Sequence, residues 1–412
     1  MADWWLGEEA VGELISRARD RLGKSQYALA EALRETSGRS DGVPDRSMVA
    51  RWETGRRIPT PYWRVHLAAV LQLSAAQLDR AAAVTKARRA SHPESVGALP
   101  SDERLRHVLA HPGSADLMSV AYLREQVRHL DEQYDRAPST ALIPDAGQHL
   151  GQISFLGMHA RRSYVRRELY AAESEAATLM GQLVWDASQR RDHDTAVAYF
   201  DQAVRAAQER GDNAAEGLAL LRKSFVVLYG WRDPKAGLEL TQHVGHTTAG
   251  TSHVLTGLAM LHTAESHAMF GNRHECQRAL GIADAQFARV QPGDPAIDLF
   301  SPSQPGRLAG SCYLFLHDAK GAARILEEVA QALQDQSKSQ AVALGNLALA
   351  YIRLGALDAA VARLNLAIDV TERNRGGGGM TIICSAGRQL RRWRDSAEVQ
   401  DVCDRIMALM AA

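Results

Sequence analysis

The chain has 412 residues, of which 46% are hydrophobic and 23% charged, and its formal net charge is zero. This composition excludes a disordered chain, and the length predicts several domains or an extended repeat array. Aromatic residues make up only 6%, whereas residues that favour helices are abundant. We therefore expect an all-α protein.

The zero net charge hides an uneven distribution. Residues 1–90 hold fifteen Lys and Arg against eleven Asp and Glu, and the remainder holds 33 against 37. A mildly basic N-terminal part suits nucleic-acid binding, although this difference is small. The cysteines form no CxxC pair, and neither a secretory signal nor a long apolar uncharged run is apparent. We expect a cytoplasmic protein without membrane association.

The first ninety residues have the pattern of five short helices. Apolar spacing places these helices at about 8–21, 26–33, 46–53, 62–73 and 75–90. Ser25 and Asp45 are good N-caps for the second and third helices. The segment Thr36–Pro44 between those two helices is rich in Gly, Ser and Asp, which predicts a loop.

Several motifs in this part of the chain match a known family. They are Leu6–Gly7, SQ at 25–26, LA at 29–30, RSMVARWETGRR at 46–57, IPTP at 58–61 and HLAAVLQLSAAQL at 66–78. Over about seventy positions the chain thereby resembles the lambda-repressor/Cro-like helix-turn-helix regulators, also called the xenobiotic-response-element family. It departs from them in the turn between the second and third helices, which is about nine residues longer. The longer turn leaves the tilt between these helices open.

The resemblance implies that the third helix enters the major groove of DNA. Arg46 and Arg51 would then each donate two hydrogen bonds to a guanine edge. Ser47 would bond to either base of a pair, and Met48 or Ala50 would contact a thymine methyl group.

The resemblance also implies contacts with the DNA backbone by Gln26, Arg56 and Arg57. Residues 46–89 contain nine basic residues against two acidic ones. An ordinary amphipathic helix with a solvated arginine face would explain the arginines alone, but not the agreement of the whole five-helix pattern. The expected partner is a double-stranded DNA operator.

The domain organisation follows from composition and helical patterning. We predict a helix-turn-helix domain at 1–90, a Pro- and Ser-containing linker at 91–114, and a helical-repeat domain at 115–412. In the last of these, a break in the pattern is predicted at 137–147, and Gly376–Gly379 is predicted to be a flexible break before the last helix pair.

The long C-terminal part repeats. Its strongest units, 177–210 and 341–371, place small and large residues at the packing positions of tetratricopeptide repeats. Weaker copies complete a series of anchors at Ala196, Ala236, Cys276, Ala322 and Ala360. Any helical bundle would explain the weak copies, but the two strong units favour a tetratricopeptide-like α-solenoid.

Residues 291–307 interrupt the array with four prolines and an apolar set that includes Phe300. Two interpretations are open. The segment is either a lid or partner-docking loop over the groove, or a connection in which Phe300 packs into the neighbouring repeat.

Catalytic and cofactor motifs are lacking in the sequence. Six histidines lie at 243, 246, 253, 262, 267 and 274, and the first two have a spacing compatible with a metal, but no HExxH motif or cysteine accompanies them. No phosphate-binding loop, dinucleotide fingerprint or nucleophile elbow is present either. We expect no enzyme, no metal site and no cofactor.

The order of head, linker and repeat body resembles a group of actinobacterial regulators and, loosely, the peptide-sensing regulators of Gram-positive bacteria. It implies a homodimeric transcriptional regulator whose repeats sense a peptide or small-molecule effector. Candidate groove residues, taken from their position on the first helix of each repeat, are Trp185, Tyr229, His267 and Asn346. The alternative is an interaction scaffold whose repeats recruit a protein partner, with weak or lost DNA binding.

Overall fold

The computed structural model describes residues 9–38, 43–54, 57–91, 101–333 and 337–411. Within these ranges all regular structure is helical, which confirms the all-α prediction. The chain divides into two compact units, residues 1–104 and residues 105–412. Among the described helices, none combines the length and the apolar character that crossing a bilayer requires.

In the first unit, the helices up to Ser91 are α1 (Val11–Arg21), α2 (Gln26–Ser37), α3 (Arg46–Glu53), α4 (Pro61–Leu71) and α5 (Ala75–Ser91). The predicted N-caps are confirmed: Ser25 Oγ accepts from the amide of Ala28 at 3.0 Å, and Asp45 Oδ1 accepts from that of Met48 at 2.8 Å. Helix α2 runs one turn further than predicted and stops at Gly38, whose φ of 63° is left-handed. Residues 39–42 of the predicted loop lie outside the described ranges.

The core of the first unit is small and apolar. Leu29, Leu33, Val49, Trp52 and Leu67 are at most 2% exposed. These side chains come from α2, α3 and α4, so the core fixes the orientation of α3 within the unit.

The second unit contains α6 (Ser101–Ala110), which starts just before it, α7 (Leu117–Gln133), α8 (Ser139–His159), α9 (Ser163–Ala187), α10 (His193–Arg210), α11 (Asn213–Phe225), α12 (Pro234–Thr248), α13 (His253–Met269), α14 (Arg273–Phe287), α15 (Gln304–Phe315), α16 (Ala319–Ala332), α17 (Lys338–Leu354), α18 (Leu357–Asn374), α19 (Gly377–Leu390) and α20 (Ala397–Ala411). A π-helical turn, Val226–Trp231, continues α11. From α9 onward, successive helices pack in pairs and each pair packs on the next, as in a tetratricopeptide-like α-solenoid.

The anchors of the repeats occupy one structural position. Ala196, Cys276, Ala322 and Ala360 are each the fourth residue of the second helix in a pair, and each is at most 1% exposed. In α12 that position belongs to Gly237, so the predicted anchor Ala236 is displaced by one residue. A Cβ at Gly237 would collide with Cδ2 of Leu228, which explains why glycine stands there.

Part of the segment assigned to a linker is helical. Within 91–114, residues 101–110 form α6, and Leu105 and Val108 are buried in the core of the second unit. Residues 92–100 lie outside the described ranges. The predicted functional boundaries at 90 and 114 stay a prediction.

The two predicted breaks in the helical pattern differ from the structure. Helix α8 begins at Ser139 and continues through Pro144, so the break predicted at 137–147 is confined to the turn before Ser139. The run Gly377–Gly379 is the buried first turn of α19. A Cβ at Gly377 would lie 2.9 Å from the carbonyl oxygen of Asp186, so close approach of two helices, and not flexibility, explains these glycines.

The segment before α15 packs against its neighbours. Phe300 is half-buried, and its ring centroid lies 5.5 Å from that of Phe287. Both rings pack on the apolar cluster formed by α11–α15. The interpretation in which Phe300 packs into the neighbouring repeat is therefore confirmed.

Candidate functional site

Helix α3 presents a polar face to solvent and an apolar face to the core. Val49 and Trp52 are at most 2% exposed. Arg46, Ser47 and Arg51 lie on the opposite side and are exposed. Three of the five side chains predicted to contact bases are thus accessible to solvent.

The other predicted residues of this helix are less accessible. Ala50 is half-buried, and the half-buried Met48 packs against the core of the first unit. The exposed Arg57 donates through Nη1 to Sδ of Met48 at 3.6 Å, and its backbone amide donates to the carbonyl of Arg51 at 3.0 Å. Leu6–Gly7, Gly55 and Arg56, which carry parts of the prediction, lie outside the described ranges.

The carboxylate of Glu53 joins the first three helices. Arg19 Nε on α1 donates to its Oε1 at 2.5 Å, and Gln26 Nε2 at the start of α2 donates to its Oε2 at 2.7 Å. The side chains of Arg19 and Glu53 are only 13% and 8% exposed. The hydrogen bond to Glu53 is the main reason why the pKa of Arg19 is raised.

Gln26 therefore has a structural partner that the sequence did not indicate. Its amide nitrogen carries two N–H groups, so the bond to Glu53 leaves a second donor for another acceptor. The glutamine, α3 and α1 are fixed relative to one another by a single carboxylate. Phosphate contact by Gln26 stays a prediction.

A cavity of about 640 Å³ lies within the second unit. Its walls come mainly from the first helices of successive pairs, α9, α11, α13, α15, α17 and α19. Three of the four predicted groove residues line it: Trp185, Tyr229 and Asn346. A cavity of this volume is in the range that small ligands and short peptide segments occupy.

The fourth predicted residue, His267, lies outside the cavity lining. Helix α13 faces the cavity with His262, Glu265 and Met269. These residues are three and four positions apart, so they lie on one side of the helix. His267 is out of phase with these residues and packs toward α14, where burial lowers its pKa and Glu275 opposes that shift. The prediction placed a histidine of the correct helix on the wrong face.

Three polar side chains form a network on the cavity wall. His262 Nδ1 lies 2.8 Å from Tyr229 Oη and 3.0 Å from Glu265 Oε2, and the Tyr229 hydroxyl also donates to Glu265. Glu265 is 1% exposed. The pKa of Tyr229 is raised well above its usual value, first by burial and then by the nearby Glu265 carboxylate. Tyr229 is therefore a neutral hydroxyl donor at physiological pH.

A second polar cluster joins distant parts of the repeat array. Lys338 Nζ at the start of α17 lies 2.8 Å from Asp186 Oδ2 on α9. Ser139 Oγ donates to the same carboxylate oxygen at 2.8 Å, and the Gly377 amide donates to Oδ1 at 2.6 Å. The cluster thus joins α8 and α9, near the start of the array, to α17 and α19, near its end, and residues of α9, α17 and α19 line the cavity.

The structure gives no support to a metal site in the described ranges. No three His, Cys, Asp or Glu side chains come together there in a way that could hold an ion. The six histidines predicted as a loose cluster are distributed over α12, α13 and α14.

Comparisons with known proteins give distant likenesses in fold. No protein-family model matches the chain, and no curated protein does. Among solved structures, the apo form of the quorum sensor NprR from B. thuringiensis is 14% identical, with 75% of this chain and 86% of that chain covered and a TM-score of 0.43. Bacillus thuringiensis PlcR in complex with the peptide PapR7 and DNA is 13% identical, with 68% and 95% covered and a TM-score of 0.30. Scores this low carry no argument about function.

Proposed function

We propose that the protein is a sequence-specific DNA-binding transcriptional regulator of the lambda-repressor/Cro-like helix-turn-helix type. The observation that carries this proposal is the solvent-exposed part of α3, which carries Arg46, Ser47 and Arg51. Burial of Val49 and Trp52 fixes the opposite face of the same helix. A polar face held this rigidly is what base recognition in the major groove requires.

The dimensions of α3 suit the major groove. Its eight residues span about 12 Å, and the groove of B-DNA is about 12 Å wide. Arg46 and Arg51 then serve as bidentate donors to guanine, and Ser47 bonds to either base partner. Arg57 and Gln26 contribute phosphate contacts at the two ends of the motif.

A homodimer is part of the proposal. A single small head makes few contacts with DNA, and two heads related by twofold symmetry would read half-sites about 34 Å apart. The operator would then be an inverted repeat. The basic excess between Arg46 and Arg89 supports the electrostatic part of the affinity.

The second unit is proposed to sense an effector, a small molecule or a short peptide, in its cavity. The cavity has a mixed lining in which Trp185 and Tyr229 supply aromatic surface and Asn346 supplies an amide. An effector acts on transcription only if it binds two states of the protein with different affinities. The proposal therefore requires that effector binding changes the affinity for the operator.

The deciding experiment is selection of bound duplexes from a random DNA pool with the full-length protein, in the presence and absence of culture extract. Enrichment of an inverted repeat supports the regulator, and a change in enrichment with extract supports sensing. If no sequence is enriched and the protein instead binds a partner tightly in a pull-down, the interaction scaffold replaces this proposal.

A further inference from the structure

Cationic side chains outnumber carboxylates around the cavity of the second unit. The cations are Arg190, Arg222, Arg232, Arg307, Lys338 and Arg353, and the carboxylates are Asp135, Asp186 and Glu265. When histidine is not counted, the cavity lining contains twice as many cationic side chains as acidic ones. In a concave site that excludes bulk water, such an excess produces a positive potential.

Two of the three carboxylates are already engaged. Asp186 accepts hydrogen bonds from Lys338, Ser139 and the Gly377 amide. Glu265 accepts from Tyr229 and His262. Asp186 thus pairs with Lys338 and Glu265 is bonded to Tyr229 and His262, so neither carboxylate forms an ion pair with an arginine of the lining.

Three of the arginines lack a carboxylate partner. Arg190, Arg222 and Arg307 form no ion pair with any carboxylate in the described ranges. The Nε atoms of Arg190 and Arg222 are buried and make no hydrogen bond to a described residue. Burial is the main cause that lowers the pKa of Arg307, and the charge of Arg190 adds to this shift, whereas Tyr229, Glu265 and Asp135 oppose it. Buried donors without acceptors are costly, and an anion would satisfy them.

Aromatic rings flank two of these guanidinium groups. Arg190 lies over the ring of Trp185 at 4.5 Å, and Arg222 lies over that of Phe225 at 5.5 Å. Stacking holds the planar guanidinium in place while its edge stays available for a bidentate hydrogen bond. The rings also supply apolar contact for the body of a ligand.

We propose that the cavity binds its ligand through an oxyanion group, a carboxylate or phosphate, which Arg190, Arg222 and Arg307 receive, with an apolar body packed against Trp185 and Phe225. This inference rests on the proposed effector role of the cavity and names the chemical class of the effector. Guanidinium groups recognise planar oxyanions through paired N–H donors, which neutral ligands of the same shape cannot use.

A matched pair of fluorescent probes tests the charge requirement with the full-length protein. The probes are 8-anilinonaphthalene-1-sulfonate, which is anionic, and N-phenyl-1-naphthylamine, which has the same ring system without the charge. We expect saturable binding of the anionic probe at one site, at least about tenfold tighter than the neutral probe. Equal affinity for both probes, or no saturable binding of the anionic one, would overturn the proposal.

Substitutions locate the site. Arg222→Gln and Arg307→Gln each remove a charge. Each is expected to lower the affinity for the anionic probe about tenfold and to leave the affinity for the neutral probe unchanged. Arg307→Lys keeps the charge and is expected to restore part of the affinity. Arg205→Gln, on the exposed side of α10, is the matched control. Circular dichroism melting curves identify any variant that is unfolded, and unchanged anionic binding in folded Arg222→Gln and Arg307→Gln contradicts the assignment.

Displacement of the anionic probe distinguishes two sources of the oxyanion. One arm uses decanoate against decanol. The other uses a pool of hexapeptides of random sequence without Asp or Glu, with free C-terminal carboxylates, against the same pool with amidated ends. Displacement by only the charged member of a pair supports the proposal and identifies the source, whereas equal displacement by both members contradicts it. None of these measurements includes DNA. A protein that binds no operator would contradict the proposed function, but it would not change the outcome of the probe experiments.

Discussion

Lys338 Nζ lies 2.8 Å from Asp186 Oδ2, and the two side chains are only 8% and 4% exposed. This ion pair joins α17 to α9, and the Gly377 amide adds α19 to the same carboxylate. Consecutive helix pairs of a solenoid contact only their neighbours, so a bond between distant pairs is an additional constraint. It joins two cavity-lining helices that are far apart in the sequence.

We expect Lys338→Met to be strongly destabilising, by about 3–5 kcal/mol, because it leaves the Asp186 carboxylate buried and without its cation. Urea unfolding, followed by circular dichroism, measures the loss in free energy of unfolding. The double variant Asp186→Asn with Lys338→Met removes both charges and should recover part of the loss.

An exposed ion pair gives the control for this experiment. Arg128, whose side chain is 62% exposed, pairs with Glu125 and Glu132 on the surface of α7. Arg128→Met should leave the free energy of unfolding nearly unchanged, because solvent screens this pair. If Lys338→Met is as mild as Arg128→Met, the buried pair does not tie the walls of the cavity together.

Substitutions on α3 separate base contacts from phosphate contacts. Arg46→Ala and Arg51→Ala should each remove about 1–3 kcal/mol of discrimination between operator and scrambled DNA. Arg57→Ala should lower the affinity for operator and for scrambled DNA by similar amounts. It should also reduce the slope of log affinity against log salt concentration by about one. Mobility-shift titrations at several salt concentrations measure both effects. Equal losses on both DNAs for Arg46→Ala would be inconsistent with base reading.

Glu53→Gln tests whether the position of the reading helix matters. The carboxylate joins Arg19 on α1 and Gln26 on α2 to α3, and its loss leaves the largely buried Arg19 with only the exposed carboxylate of Asp20 as an ion-pair partner. We expect a lower melting temperature of the first unit and weaker binding to the selected operator. Arg17→Gln, in a pair whose arginine is 69% exposed, should leave both unchanged. An unaltered operator affinity in Glu53→Gln would show that the positioning is redundant.

Alanine substitutions at two glycines of the repeat array should have opposite effects on the stability of the protein. A Cβ at Gly310 would lie 2.5 Å from Cγ of Leu326, whereas one at Gly151, inside α8, would meet no atom within 4 Å. Gly310→Ala should therefore destabilise by about 1–3 kcal/mol through overpacking. Gly151→Ala should stabilise by up to about 1 kcal/mol through helix propensity. Thermal unfolding of both variants measures the difference, and a destabilised Gly151→Ala would contradict the prediction.

Local features of the fold could be predicted from the sequence, whereas contacts between distant segments could not. The bounds of α3 and the caps Ser25 and Asp45 agree with the structure, because caps and apolar periodicity act within a few residues. The sequence predicts a flexible break at Gly376–Gly379, because nothing local reveals that the Asp186 carbonyl approaches Gly377. When two segments far apart in the sequence approach closely, the only trace in the sequence is a glycine at the point of contact.

The cavity shows the same division. Trp185, Tyr229 and Asn346 were found from their place on the first helices of repeats, and they line it. The arginines were missed because a single inward arginine is indistinguishable from the many solvated ones until the superhelix brings several together. The available signal is the presence of arginines on the first helices of two repeats, Arg222 on α11 and Arg307 on α15.

The carboxylate of Asp294 supplies a test of pH dependence. It accepts from Ser252 Oγ at 2.6 Å and from the backbone amides of His253 at 2.7 Å, Val254 at 3.2 Å and Ala296 at 3.0 Å. Burial alone would raise its pKa, but these hydrogen bonds outweigh burial and hold the pKa below its usual value. The carboxylate thereby caps α13 and anchors the segment before α15.

A lowered pKa in the folded state fixes the sign of the effect. The stability that Asp294 contributes is fully present above its unfolded pKa of about 3.9 and is lost as the pH falls through the lower folded value. Asp294→Asn should therefore be less stable than the native protein at neutral pH, and the difference should shrink toward about pH 3. Urea unfolding across this range measures it. Asp395 has a fully exposed side chain, and Asp395→Asn should be as stable as the native protein at every pH. If the stability difference between Asp294→Asn and the native protein is the same at every pH, the ionised form of Asp294 makes no special contribution.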